Sequence, residues 1–308
     1  MNAQILFTNN DAVIFANANS TILINGSIQN VGDSLYNKGK IIIRGNNGTN
    51  GDLINNGLIS GNGEYELTGN WINNGIFNSC LSSVKLNSVF PGEQLISGNT
   101  ITNFYKLTTA GITKKRMTIN AFIKNSLDLT DNELAADSFV LHVLNPNLQA
   151  ISRTTGFIST LNSGKLARTT GIAGPYNFPL GSTNGVPRYR PVIIKPDSNN
   201  LNVFSVGFIN HSAGSDGYLL SANDASICYV DSNFYHKIIH NLGTDSADVT
   251  IFFDPTVDGG IWSMLANWKN APFNEWQNVG NVNTIYTPIN GFTKEKQADF
   301  SSEPWVLA

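Results

Sequence analysis

One phrase occurs three times near the N-terminus: Leu35-Tyr36-Asn37-Lys38-Gly39-Lys40-Ile41, Leu53-Ile54-Asn55-Asn56-Gly57-Leu58-Ile59 and Trp71-Ile72-Asn73-Asn74-Gly75-Ile76-Phe77. Eighteen residues separate Gly39 from Gly57 and Gly57 from Gly75, and the same interval relates Asn37, Asn55 and Asn73. A unit this short cannot bury its own apolar face, so its copies have to stack and share a core. The residues around each Asn-x-Gly favour strands and carry no helical period. Asn and Gly tolerate positive φ and mark a corner where one strand ends and the next begins. Ordinary hairpins with Asn-Gly turns use the same residues, but the constant interval favours a parallel β-helix. Coils of that fold repeat at about 4.8 Å. Asn37, Asn55 and Asn73 are then expected to form an amide ladder, with Leu35, Leu53 and Trp71 forming an apolar one.

The coil pattern continues in weaker form. Phe7 to Ile28 holds short strand-like runs between Asn-rich turns. Phe104-Tyr105-Lys106-Leu107, Met117-Thr118-Ile119, Leu127-Asp128-Leu129, Phe139 to Leu144 and Thr155 to Ile158 extend the series. About eight coils are expected up to near Thr170, a rod on the order of 40 Å long. Beyond Gly171 prolines become more frequent and the phrase disappears. Val203 to Ile209 and Val249 to Phe253 read as half-buried antiparallel strands separated by turns such as Asp216-Gly217 and Asp258-Gly259. The expected class is all-β: a parallel β-helix over residues 1–170, then an antiparallel β-sandwich over 171–308. Asp131 to Asp137 is the one weak helix candidate.

With 308 residues the chain is long enough for two structural units. Charged residues make up 13%, about half the usual share, and the surface takes its hydration from amides and hydroxyls. A net charge of -3 and a single basic run, Lys114-Lys115-Arg116, argue against nucleic acid. No apolar run approaches the roughly 20 residues that span a bilayer, so no membrane insertion is expected. Ala3-Gln4 followed at once by Ile5-Leu6-Phe7 reads as the start of a processed chain. Cys80 and Cys228 are open to two readings, one interdomain disulfide or two buried free thiols, and lack metal spacing.

A resemblance covers most of the chain through short, degenerate motifs. Gly171-Ile172-Ala173-Gly174-Pro175-Tyr176-Asn177-Phe178-Pro179-Leu180-Gly181-Ser182 followed by Arg188-Tyr189-Arg190-Pro191-Val192 resembles a segment of large exported proteins of Bacteroidota. Gly164-Lys165-Leu166-Ala167-Arg168, the coils with Phe104 to Leu107 and Ser126 to Leu129, and the stretch with Asp254-Pro255 and Trp268 are similar to those proteins too. The resemblance implies secretion by the type IX system and a role as an adhesin or surface-layer component. Such proteins usually end in a sorting domain. This chain ends instead at Trp305-Val306-Leu307-Ala308, so it is expected to be the N-terminal portion of something longer. The resemblance carries no catalytic residues and no cofactor.

Candidate ligand-binding residues are few. Trp262, Trp268, Phe273 and Trp276 fall within fifteen residues among Asn, Gly and Pro. Exposed, they would be a platform for sugar rings; the alternative is that Trp262 and Trp268 fill the sandwich core. Arg188 and Arg190 are open to a reading as a clamp for an anionic ligand, and Arg190 beside Pro191 to one as a brace of the coil-to-sandwich junction through a bidentate bond to a carboxylate. His236 and His240 lie on a strand, where four residues span roughly 13 Å, too far apart for one metal. Asp216-Gly217 and Asp258-Gly259 read as turns, not calcium loops. The acids of the repeats (Asp33, Asp52, Glu64 and Glu66) do not recur at equivalent coil positions, and no nucleophile elbow or phosphate loop is present.

The expectation is therefore a secreted or cell-surface protein that acts by adhesion or as surface structure, with an extracellular glycan or a surface protein as partner and no cofactor or metal. The rivals are a glycan-binding module, a polysaccharide-degrading β-helix enzyme and a self-associating filament subunit joined through open coil ends.

Overall fold

The computed structural model describes residues 6–45, 51–285 and 289–308. The chain is all-β and begins as a parallel β-solenoid of about eight turns. It separates into two compact units, residues 1–145 with 149–157, and residues 146–148 with 158–308. That division precedes the 170/171 boundary read from the sequence. Lys165–Thr170, inside the expected solenoid span, pairs antiparallel with Asn202–Ile209.

In the first unit the strands alternate among three parallel sheets. One holds Leu6–Asn10, Ser27–Val31, Leu53–Asn55, Trp71–Asn73, Gln94–Ser97, Lys115–Met117 and Glu133–Asp137. A second holds Ile14–Ala16, Ser34–Asn37, Leu58–Ser60 and Ile76–Asn78. The third begins with Thr21–Asn25, Lys40–Arg44, Glu64–Leu67, Ser83–Ser88, Thr102–Gly111, Ala121–Asp128 and Val140–Val143. Period-two alternation sends one set of side chains inward. Ile41, Tyr65, Val84, Leu107 and Leu127 are stacked and buried on the third sheet. Trp71 packs edge-on against Phe77 at 4.8 Å, and Phe104 lies 5.3 Å away.

The amide ladder exists, but its members differ from those expected. Asn9 Nδ2 donates to Asn30 Oδ1 at 2.8 Å, Asn30 Nδ2 to Asn55 Oδ1 at 3.1 Å, and Asn55 Nδ2 to Asn73 Oδ1 at 2.8 Å. Each inner amide also closes a corner carbonyl of the next coil, Asn30 on Leu58 at 3.1 Å and Asn55 on Ile76 at 3.0 Å. Asn37 stands elsewhere: it ends a strand of the second sheet, accepts from Gly39 N at 3.0 Å and donates to Glu64 O at 2.9 Å. The three sequence copies are one corner device used at two different corners. Asn37-Lys38-Gly39 turns the chain from the second sheet to the third, whereas Asn55-Asn56-Gly57 and Asn73-Asn74-Gly75 turn it from the first to the second. The apolar column changes in the same way. Phe7, Ile28, Leu53 and Trp71 are in register, while Leu35 stacks between Ile14 and Ile59.

Glycine is required at these corners by space. A Cβ on Gly75 would lie 2.2 Å from Gly57 O, and one on Gly57 would lie 2.4 Å from Asp33 O. The helix candidate Asp131 to Asp137 is a strand, Glu133–Asp137, because Leu134 and Ala135 are buried and pair with Lys115 and Arg116. Helical turns occur instead at Ala213–Asp216, as a 3-10 turn, and at Pro255–Asp258, which is capped by Asp254, whose side chain accepts from Thr256 N.

The second unit is built from antiparallel sheets. One carries Lys165–Thr170, Asn202–Ile209, Tyr235–Leu242, Pro304–Leu307, Leu265–Lys269 and Glu275–Asn278 in spatial order. The other carries Tyr176–Phe178, Val192–Pro196, Ala247–Phe253, Asn290–Gln297 and Asn283–Ile285. Gly181–Ser182 and Arg188–Tyr189 form a separate short pair.

Candidate functional site

The two arginines singled out by sequence meet one carboxylate. Arg190 grips Asp258 with two bonds, Nε to Oδ2 at 2.6 Å and Nη2 to Oδ1 at 2.8 Å, and Arg188 Nε adds a third to Oδ1 at 2.9 Å. Asp254 N also donates to Asp258 Oδ2 at 2.8 Å. All three charged side chains are buried, so the clamp is internal and its anion is Asp258. The bidentate bond to a carboxylate expected at Arg190 is present. Asp258 closes the short helical turn, some seventy positions further along, and no sequence spacing points to it.

Around this cluster lie two groups that titrate abnormally. Burial pushes the Asp231 carboxyl up to about 6, opposed by hydrogen bonds from Asn233 and reinforced by the charge of Asp258. Burial also pulls His236 down to about 4. Its Nε2 donates to Arg190 O at 3.0 Å, so the neutral ring carries its proton there. His240 stacks on Phe204 at 4.1 Å and bonds Asn202 at 3.0 Å. Among the described residues no group of three His, Cys, Asp or Glu side chains is placed to hold a metal ion. Both cysteines are free thiols.

The aromatic set divides. Trp268 and Trp276 face one another across a hairpin with rings 5.4 Å apart and nearly perpendicular. They are 6% and 0% exposed, inside a cluster with Ile209, Tyr235, Ala266 and Val306. They serve as core here, because large rings release the most apolar surface from water when enclosed. Trp262 is half-buried against Tyr229 at 5.5 Å and lines a hollow of about 380 Å³ with Phe253, Ile261 and Phe292. Phe273 alone of the four is exposed, at 59%. It lines a hollow of about 480 Å³ with Lys269, Asn270, Gln277, Asp299 and Ser302.

On the solenoid the third sheet turns a regular column outward. Thr21, Lys40, Glu64, Ser83, Lys106 and Ser126 succeed one another strand by strand. Beside them run Leu23, Ile42, Glu66, Lys85, Thr108 and Asp128. Lys40 bridges Glu64 at 3.7 Å and Glu66 at 3.2 Å. The acids of the repeats do not gather: Asp52 is buried and accepts from Asn70 N at 2.6 Å, while Glu64 and Glu66 belong to the outward columns. No helix among the described residues is long and apolar enough to cross a membrane.

No family model, curated protein or solved structure matches this chain.

Proposed function

We propose that the chain is an extracellular adhesin or cell-surface structural protein of the type IX secretion class of Bacteroidota, acting through its repeat surface and its C-terminal β-domain. What supports the reading is the outward column from Thr21 to Ser126. It repeats short polar and paired charged groups at one strand spacing on a sheet whose inward side is closed mainly by apolar residues such as Ile41, Tyr65, Val84, Leu107 and Leu127. A preordered flat face of this kind pays little conformational entropy when it meets an extended partner. Within this reading the two antiparallel sheets of the second unit pack as a β-sandwich, and the partner is a glycan or a surface protein. Antibody against the chain, applied to intact and to permeabilised cells that produce it, tests the location. Labelling of intact cells is expected; labelling that requires permeabilisation overturns the proposal.

A further inference from the structure

We infer that the hollow around Phe273 is a binding subsite for one neutral pyranose unit of a glycan, a ligand class that deepens the surface-attachment reading and rests on it for the ligand being extracellular. Phe273 stands on the loop joining Leu265–Lys269 to Glu275–Asn278, an antiparallel hairpin with Trp268 opposite Trp276. The loop is shaped, not slack: Phe273 N donates to Asn270 O at 3.2 Å, and Asn274 takes the left-handed φ of +51° that Asn tolerates. The hairpin buries both of its Trp rings and leaves the Phe ring in water. An exposed aromatic held by a formed turn beside a concave surface is a ready stacking platform.

The rest of the lining selects the ligand. Lys269 Nζ donates to Asp299 Oδ2 at 2.7 Å, and Ser301 N donates to Asp299 Oδ1 at 2.9 Å. The hydrogen bond from Lys269 holds Asp299 at about 2, so the carboxylate remains an acceptor at every physiological pH. Within this lining the ammonium and the carboxylate cancel, which disfavours a charged ligand. Asn270 and Gln277 add amides that both donate and accept. Ser302 is 3% exposed, and its Oγ has no hydrogen-bond partner among the described residues. That hydroxyl is closed off from solvent, so Ser302 contributes wall to the hollow and no hydrogen bond to the ligand. A pyranose matches all of these features, since its C–H face stacks on the ring while its rim hydroxyls donate and accept. An apolar ligand would strand the polar lining, and a charged one would find only the Lys269–Asp299 pair, whose charges already answer each other.

Saturation-transfer NMR on the full chain tests this with the methyl pyranosides of glucose, galactose and mannose, and with glucuronate as an anionic probe. Transfer to at least one neutral pyranoside is expected, with Phe273→Ala weakening it about tenfold and Phe273→Trp retaining it. Phe273 is exposed, so its replacement is expected to leave the thermal midpoint unchanged. No transfer to any of the three pyranosides, undiminished transfer with Phe273→Ala, or a preference for glucuronate overturns the inference. Antibody labelling of intact cells by the unaltered chain separates the two readings: labelled cells without sugar binding sink the subsite alone, and unlabelled cells sink the attachment reading.

Discussion

The Asn30 side chain donates to the Asn55 side chain at 3.1 Å across an interval of 25 residues, although Asn37 lies at the repeat interval of eighteen. Asn37 and Asn55 share no hydrogen-bond partner among the described residues. Combining Asn30→Ala with Asn55→Ala should therefore be non-additive by about 0.5–1.5 kcal/mol, while Asn37→Ala with Asn55→Ala should add within about 0.5 kcal/mol. Urea unfolding of the single and double variants gives both numbers.

Gly75 sits where a Cβ would be 2.2 Å from Gly57 O, a backbone atom that cannot swing aside. Gly75→Ala should destabilise the solenoid by about 1–3 kcal/mol, read as a lowered thermal midpoint. Gly57→Ala should do the same, since its Cβ would meet Asp33 O at 2.4 Å.

Legibility from sequence was uneven, for physical reasons. The corner device was visible because its Asn side chains bond one another and the corner backbone while its Gly leaves no room for a Cβ; none of these residues takes the positive φ that Asn and Gly tolerate. Its phase was not, because coil length varies: successive ladder asparagines are 21, 25 and 18 residues apart. The eighteen-residue step from Asn37 to Asn55 is a coincidence of two corners. The missed members, Asn9 and Asn30, carry a readable signal, an apolar residue two positions before Asn, as in Phe7-Thr8-Asn9 and Ile28-Gln29-Asn30. The antiparallel pairing of Lys165–Thr170 was hidden because a strand sequence does not state which way its neighbour runs. At the candidate site the bidentate Arg190 was legible from chemistry, but its partner Asp258 was read as a turn residue. Whether each of four clustered aromatics is core or surface depends on the hairpin register, which pairs Trp268 with Trp276 and leaves Phe273 at the tip.

Asp258 holds two buried guanidinium groups, so removing its charge leaves both without their ionic partner. Asp258→Asn should cost about 3–5 kcal/mol in urea unfolding. Replacing Arg188, Arg190 and Asp258 together by apolar residues of similar volume should recover most of that loss.

Asp231 and His236 pull stability in opposite directions with pH. The folded-state value of Asp231 is raised from 3.8 to about 6, so its contribution is fully present below 3.8 and is lost as pH rises through 6. The folded-state value of His236 is depressed from 6.5 to about 4, so its contribution is present above 6.5 and is lost as pH falls through 4. Between pH 4 and 6 the two offset each other. Asp231→Asn removes one side, and its stability should fall by up to about 3 kcal/mol as pH drops from 6.5 to 4. Urea midpoints measured across that range should fall more steeply with falling pH in the variant than in the unaltered chain.

Attachment itself is tested most directly by beads carrying the full chain, washed over isolated bacterial envelopes and over mucus glycoprotein. The comparison is a Lys40→Ala/Lys106→Ala variant of the outward column, whose surface charges contribute little to stability. Retention of the unaltered chain on at least one surface, reduced severalfold in the variant at an unchanged thermal midpoint, is the predicted result. Absence of retention on both surfaces, or equal retention of chain and variant, contradicts a role for the solenoid face in adhesion.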